Sequence, residues 1–220
     1  MTLRVDLFWS FRSPYSYLAL PKTCRMVEDF DVSVEARPVY PLAVRDPTFF
    51  KRTNPQFARY VVLDSTRVAQ NEAIPFRFPR PDPIQQDMKT LEVAPEQPLI
   101  RRLTRLGAAA QSRGRGLPFI REVSRVLWDG SVDRWDLGDH LARASERAGL
   151  DLADLDACVA SEPDTYEAII AQNERDHARS GHWGVPTFVF DGEPFFGQDR
   201  IDLLLWRLKQ QGLRPRGEVR

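Results

Sequence analysis

Cysteine is scarce: the 220-residue chain has two, Cys24 and Cys158, far apart and never in a Cys-x-x-Cys arrangement. That excludes disulfide exchange by a paired dithiol, and also a metal cluster built on cysteines. Both thiols are expected to be inert core groups. A charge of one sign is missing too, with 31 basic residues set against 31 acidic ones. A polynucleotide partner, which would be held by phosphate neutralisation, is therefore not expected. Lysine is rare among the basic residues, at positions 22, 51, 89 and 209 only. Arginine forks suit carboxylate ligands, but genomic base composition is the simpler source of the bias. No stretch approaches the roughly eighteen unbroken apolar residues of a membrane span, and Arg4 and Asp6 interrupt the apolar start of the chain. A cytoplasmic protein without a signal peptide is expected. His140, His177 and His182 lack metal-ligand spacing, so no metal site is expected. What is present is ordinary globular material, 42% hydrophobic and 28% charged, enough for a sizeable core.

Leu3 to Phe11 reads as a strand, followed at once by Ser13-Pro14 in the manner of an N-cap with proline at the first helical position. The helix is expected to run to about Phe30, with a kink or break at Pro21. Asp31 to Val39 reads as a second strand, and the β-α-β order implies a parallel pair. Prolines then punctuate residues 43 to 98, leaving room for one helix, about Gln56 to Glu72. Helical spacing dominates from about 84 to 181, with helices expected around Leu99 to Ala110, around Phe119 to Val126, and over Asp136–Ala148, Leu152–Ser161 and Asp164–Arg179. After Gly181 come two antiparallel strands, Val185 to Phe190 and Glu193 to Gly197, joined by Asp191-Gly192. Asp199 is expected to cap a last helix ending at Gly212. This order fits an α/β, thioredoxin-like fold with a large all-helical insertion. Residues 1–83 and 182–220 would form the thioredoxin-like domain and 84–181 the inserted helical subdomain.

Ser13 lies where a strand gives way to a helix, the reactive position of that fold. Amides and the helix dipole there stabilise an anion, and a hydroxyl can donate to a bound thiolate and lower its pKa. Simple capping is the blander account of the same serine. Val185-Pro186 opens a strand, where a cis peptide would present the Val185 N–H and C=O to an extended peptide as an added strand. An ordinary edge proline is commoner, since only about one X-Pro bond in twenty is cis. Phe196-Gly197-Gln198-Asp199 forms a second strand-to-helix turn, with a carboxylate able to hold an α-amino group. Arg45, Lys51, Arg52 and Asn54 occupy the loop after the second strand, where an anionic substrate can be clamped.

The segments Phe11-Arg12-Ser13-Pro14-Tyr15-Ser16-Tyr17-Leu18-Ala19 and Gly184-Val185-Pro186-Thr187-Phe188-Val189-Phe190-Asp191-Gly192-Glu193-Pro194-Phe195-Phe196-Gly197-Gln198-Asp199-Arg200 together resemble the 2-hydroxychromene-2-carboxylate isomerase family. That family is DsbA-like in fold and close to kappa-class glutathione transferases. The resemblance implies glutathione as cofactor, with Ser13 activating its thiol, Val185 beside a cis Pro186 pairing with its backbone, and Phe196, Gly197, Gln198 and Asp199 holding its γ-glutamyl end. It also implies Arg45 and Asn54 on the substrate side, with Arg12 altering the acidic group accepted, and a small conjugated or aromatic acid as substrate. Pairing of two copies is a further expectation. A kappa-like transferase and a non-catalytic DsbA-like binding module are the alternatives.

Overall fold

A computed structural model describes residues 2–87 and 89–217. The first strand, β1 (Leu3–Trp9), ends two residues earlier than expected. There the chain turns, with Ser13 N–H donating to the Ser10 carbonyl at 3.1 Å, and helix α1 (Pro14–Asp29) begins at once. The expected break at Pro21 is not there: α1 runs through it as one helix. Pro21 is exposed, so its ring displaces nothing in the core. Strand β2 (Val32–Pro38) then pairs parallel with β1, from Leu3 opposite Val32 to Trp9 opposite Pro38.

Two one-turn helices, α2 (Leu42–Arg45) and α3 (Phe49–Arg52), precede α4 (Gln56–Asn71). Four residues are too few to show a helical period, which is why the proline-rich stretch read as plain loop. The helical segment holds α5 (Pro98–Ser112), α6 (Gly116–Trp128), α7 (His140–Arg147), α8 (Leu152–Ser161) and α9 (Pro163–Arg179). Helix α7 starts four residues later than the periodicity suggests. Gly138 just before it has φ +67°, and Asp136 is tied back to Arg134 at 2.8 Å, so residues 136 to 139 form a turn.

Strand β3 (Thr187–Phe190) begins after Val185-Pro186, since Pro186 has no N–H to give a ladder. Asp191 and Gly192, both at positive φ, carry the chain into β4 (Glu193–Phe196) as two-residue hairpin turns require. The sheet order is β2-β1-β3-β4, with β3 antiparallel to both neighbours. A 3₁₀ turn over Gln198–Arg200 leads into α10 (Ile201–Gln210). Asp199 does not cap it: the carboxylate pairs with Arg200 at 2.7 Å instead.

One buried apolar cluster runs through both parts, joining Val5, Leu7 and Trp9 of β1 and Phe188 of β3 to Leu103, Phe119, Val123 and Trp128 of the helical segment. The Trp128 indole N–H crosses between them to donate to the Phe11 carbonyl at 2.8 Å. The inserted helices therefore brace the turn that carries Ser13. Among the described residues no helix is long and apolar enough to cross a membrane, and no His, Cys, Asp and Glu cluster could hold a metal ion.

Candidate active site

Ser13 takes the N-cap position in extended conformation, and its Oγ accepts the Ser16 N–H at 3.2 Å. The capping account is thus correct, and it leaves the hydroxyl proton free. That proton is donated across 172 residues of sequence to the Val185 carbonyl, at 3.1 Å. The Val185-Pro186 peptide is cis. So the hydroxyl at the helix end and the peptide before the proline, found separately in the sequence, face one another. Among the described residues the Tyr15 N–H, next along the first turn, donates to nothing. It adds a second donor beside the hydroxyl where an anion would sit.

The segment around Val185 is strung between side chains. The Trp183 carbonyl accepts from Arg45 Nη2 at 3.0 Å. Gly184 N–H donates to His182 Nδ1 at 2.9 Å, and the Gly184 carbonyl accepts from the Thr187 hydroxyl at 2.6 Å. Beyond the proline, the Pro186 carbonyl accepts from Gly197 N–H at 2.9 Å, which brings the Phe196-to-Asp199 turn alongside. Gly197 has φ 113° and ψ 154°, a conformation open essentially to glycine alone. Within the described residues the Val185 N–H donates to nothing. An extended peptide laid here would find that donor, and an acceptor that one serine hydroxyl can release.

Tyr15 completes this edge. Its hydroxyl donates to Asp64 of α4 at 2.7 Å. Burial first, and Asp64 after it, push the phenol well above the usual tyrosine range, so it stays protonated and is no source of protons for chemistry. Asp199 raises it further from nearby.

Aromatic rings wall the other side. His182 stacks on Phe196 with centroids 3.8 Å apart, and Trp183 lies 5.2 Å from Phe49. Phe49 in turn meets Phe50 and Phe57 at 5.3 and 6.2 Å. Trp183, Phe57 and Phe196 all keep a third or more of their surface exposed. No sequence spacing announces this cluster, because its members come from α3, α4, β4 and the segment before Pro186.

The remaining basic and polar candidates are engaged within the protein. Arg12 forms a two-pronged pair with Asp82, at 3.1 and 3.0 Å. Arg52 pairs with Asp46, and Lys51 with Glu92 at 3.4 Å. Asn54 accepts the Gln56 N–H at 2.9 Å, closing the turn into α4 at an exposed position. Arg45 donates to the carbonyls of Tyr40 and Trp183, at 2.8 and 3.0 Å. The two cysteines are remote from Ser13: Cys24 is in the second half of α1, where burial pushes its thiol upward, and Cys158 is in α8.

Residues 4–209 match the family of DSBA-like thioredoxin domains. The chain belongs to that family. It is 23% identical over 206 residues to the 2-hydroxychromene-2-carboxylate isomerase of Pseudomonas putida, an alignment covering 91% of each protein. Among solved structures, a 2-hydroxychromene-2-carboxylate isomerase superposes with a TM-score of 0.71, at 20% identity, over 95% of this chain and 96% of that one. The cytosolic disulfide reductase DsbM from Pseudomonas aeruginosa, solved with GSH, gives 0.58 at 18% identity, over 94% of this chain and all of the other. The DsbA-like fold expected from the sequence is thereby established, as is the likeness to the isomerase family.

Proposed function

We propose that this DsbA-like protein is a glutathione-dependent isomerase of the 2-hydroxychromene-2-carboxylate isomerase type, acting on a small conjugated or aromatic acid. The observation that carries the reading is the 3.1 Å contact between the Ser13 hydroxyl and the Val185 carbonyl. It sets a thiol-activating donor against a peptide edge able to receive the cofactor's backbone. Glutathione, when bound, supplies a thiolate that adds reversibly to a conjugated double bond, lets it turn as a single bond, and is recovered unchanged.

Ser13 has one proton to give. Turning it from the Val185 carbonyl to a sulfur anion stabilises that anion and at the same time frees the carbonyl to accept a ligand N–H. The Val185 N–H, already free, supplies the matching donor. Asp199 offers a carboxylate to an α-amino group, with Arg200 as its present partner. Phe49, Phe57 and Trp183 give a flat conjugated substrate rings to lie against, next to Phe196, which with Gly197 and Gln198 is assigned to the γ-glutamyl end of glutathione. The same reading assigns Arg12 and Asn54 to the substrate side, Arg12 by exchanging its pairing with Asp82 for a ligand carboxylate.

Disulfide exchange does not suit these residues, because the reactive turn carries an oxygen and neither thiol is near it. A conjugating transferase would use the same groups and is separated by whether glutathione is consumed. The test is a titration of the purified protein with glutathione, following thiolate absorbance across pH in the wild type and in Ser13→Ala. A bound thiol with a pKa below its ordinary value of about 8.5, rising again in the variant, is expected. No binding would sink the reading and turn attention to peptides as ligands of the same groove.

A further inference from the structure

The peptide that presents Val185 precedes the strand ladder, since β3 begins only at Thr187, and main-chain bonding reaches it no further than the Pro186 carbonyl, which accepts from Gly197 N–H. Upstream of Pro186 its position depends on the side chains that grip it, among them Ser13, Thr187 and Arg45. From the C-terminal end of α2, its guanidinium donates through Nε to the Tyr40 carbonyl at 2.8 Å and through Nη2 to the Trp183 carbonyl at 3.0 Å. Tyr40 is itself held, its N–H donating to Glu174 of α9 at 3.1 Å and its hydroxyl to Glu167 at 2.6 Å. A chain of contacts thus runs from the inserted helices through Tyr40 and Arg45 to Trp183, two residues before Val185.

We propose that Arg45 is a positioning residue of the thiol-peptide subsite, holding the Trp183 peptide, and through it Val185, against Ser13, rather than a receptor for the carboxylate of the second substrate. The planar fork fits two carbonyls on separate segments in a way that a point charge cannot. Turning it toward a substrate anion would strip both carbonyls of their donor. Burial pulls the guanidinium below its usual range, and Glu174 offsets this in part, so the charge already has a counterpart inside the protein. The inference rests on the glutathione reading for its consequence, but the tether itself belongs to the free protein.

Arg45→Met and Arg45→Lys test it by two readouts. In the absence of any ligand, exchange of the two hydrogen-bonded amides of this segment, Gly184 on His182 and Gly197 on the Pro186 carbonyl, is expected to quicken in both variants, while β1 and α1 amides keep their protection. With glutathione, both variants are expected to bind about tenfold more weakly, the loss of one charge-assisted hydrogen bond, and the KM for the electrophile at saturating glutathione is expected to stay unchanged. Unchanged exchange in Arg45→Met overturns the proposal. So does a rise confined to the electrophile's KM that lysine restores, since that is the behaviour of an anion clamp. Failure of the wild type to bind glutathione removes the functional reading alone, and the exchange result still decides whether Arg45 holds the segment.

Discussion

Ser13 does two things with one oxygen, and the two can be separated by substitution. Its lone pair accepts the Ser16 N–H and its proton goes to the Val185 carbonyl. Alanine loses both, so Ser13→Ala is expected to cost about 1 kcal/mol of stability for the missing cap and to raise the pKa of bound glutathione by about one unit or more. Aspartate caps as well as serine does but brings a negative charge to the sulfur. Ser13→Asp keeps the cap but cannot donate to the Val185 carbonyl, so in urea denaturation it is expected to fall between wild type and Ser13→Ala, while the bound thiol's pKa still rises. A Ser13→Asp protein that keeps a depressed thiol pKa would show that the helix end, not the hydroxyl, does the work. Ser13 was legible in the sequence because N-cap chemistry is local, and Val185-Pro186 because a proline at a strand start demands an explanation. The acceptors of Arg45 were not legible: one of them lies 138 residues away, and a main-chain carbonyl leaves no residue-type signal.

At the scale of elements, the outer β-α-β and β-β-α units were readable because each carries its own punctuation, Ser13-Pro14 for one and Asp191-Gly192 for the other. The helices between were readable in number, and α8 and α9 in their edges as well, but the start of α7 was not, since the turn at Gly138 interrupts the period. What no local pattern reveals is how the elements brace each other. The end of α6 supports the reactive turn through the Trp128 indole on the Phe11 carbonyl, in a stack with Tyr17 and Phe76. Trp128→Phe keeps most of the ring contact and leaves that carbonyl without its donor. A loss of at least about 1–3 kcal/mol is expected, with weaker glutathione binding beside it, read from urea midpoints and the same thiolate titration. Full stability with unchanged binding would mean the inserted helices merely cover the turn. On the far side, Gly197 joins β4 to the 3₁₀ turn at φ 113°, and a Cβ there would meet Asp199 Oδ1 at 2.5 Å. Gly197→Ala is expected to cost about 1–3 kcal/mol in backbone strain and to disturb the Asp199 carboxylate, so that denaturation midpoint and glutathione affinity fall together.

Over the described molecule, a buried cluster joins sheet and insertion, and one histidine has been taken into that interior with neither ring nitrogen hydrogen-bonded. His177 of α9 is fully buried and stacks on Phe8 of β1 at 4.7 Å, with no hydrogen-bond partner for either ring nitrogen among the described residues. Burial first, then the charge of Arg45 and the nearby His182, pull its pKa down to about 4, while the Gly184 backbone offsets them in part. The unfolded chain would take up that proton near the ordinary value of about 6.5. Between about pH 6.5 and about 4, then, the unfolded state binds more protons than the folded one, and stability must fall as the solution is acidified. The loss is complete near the lower end of that window and amounts to something on the order of 3 kcal/mol. Asp46, Asp87, Asp136, Glu167 and Glu193, all held below their usual values, weaken the fold only as they protonate in more acid solution. Glu174, raised by its burial, works in the opposite sense to His177. Replacing His177 by phenylalanine keeps the ring against Phe8 and removes the titrating group, leaving every carboxylate in place. Urea midpoints measured from pH 7 to pH 4 should therefore slope downward in the wild type and much less in His177→Phe. Parallel slopes would mean that the imidazole finds water or a partner in solution, and that the acid sensitivity over this range lies with other groups, His182 first among them, since burial holds it too below its usual value.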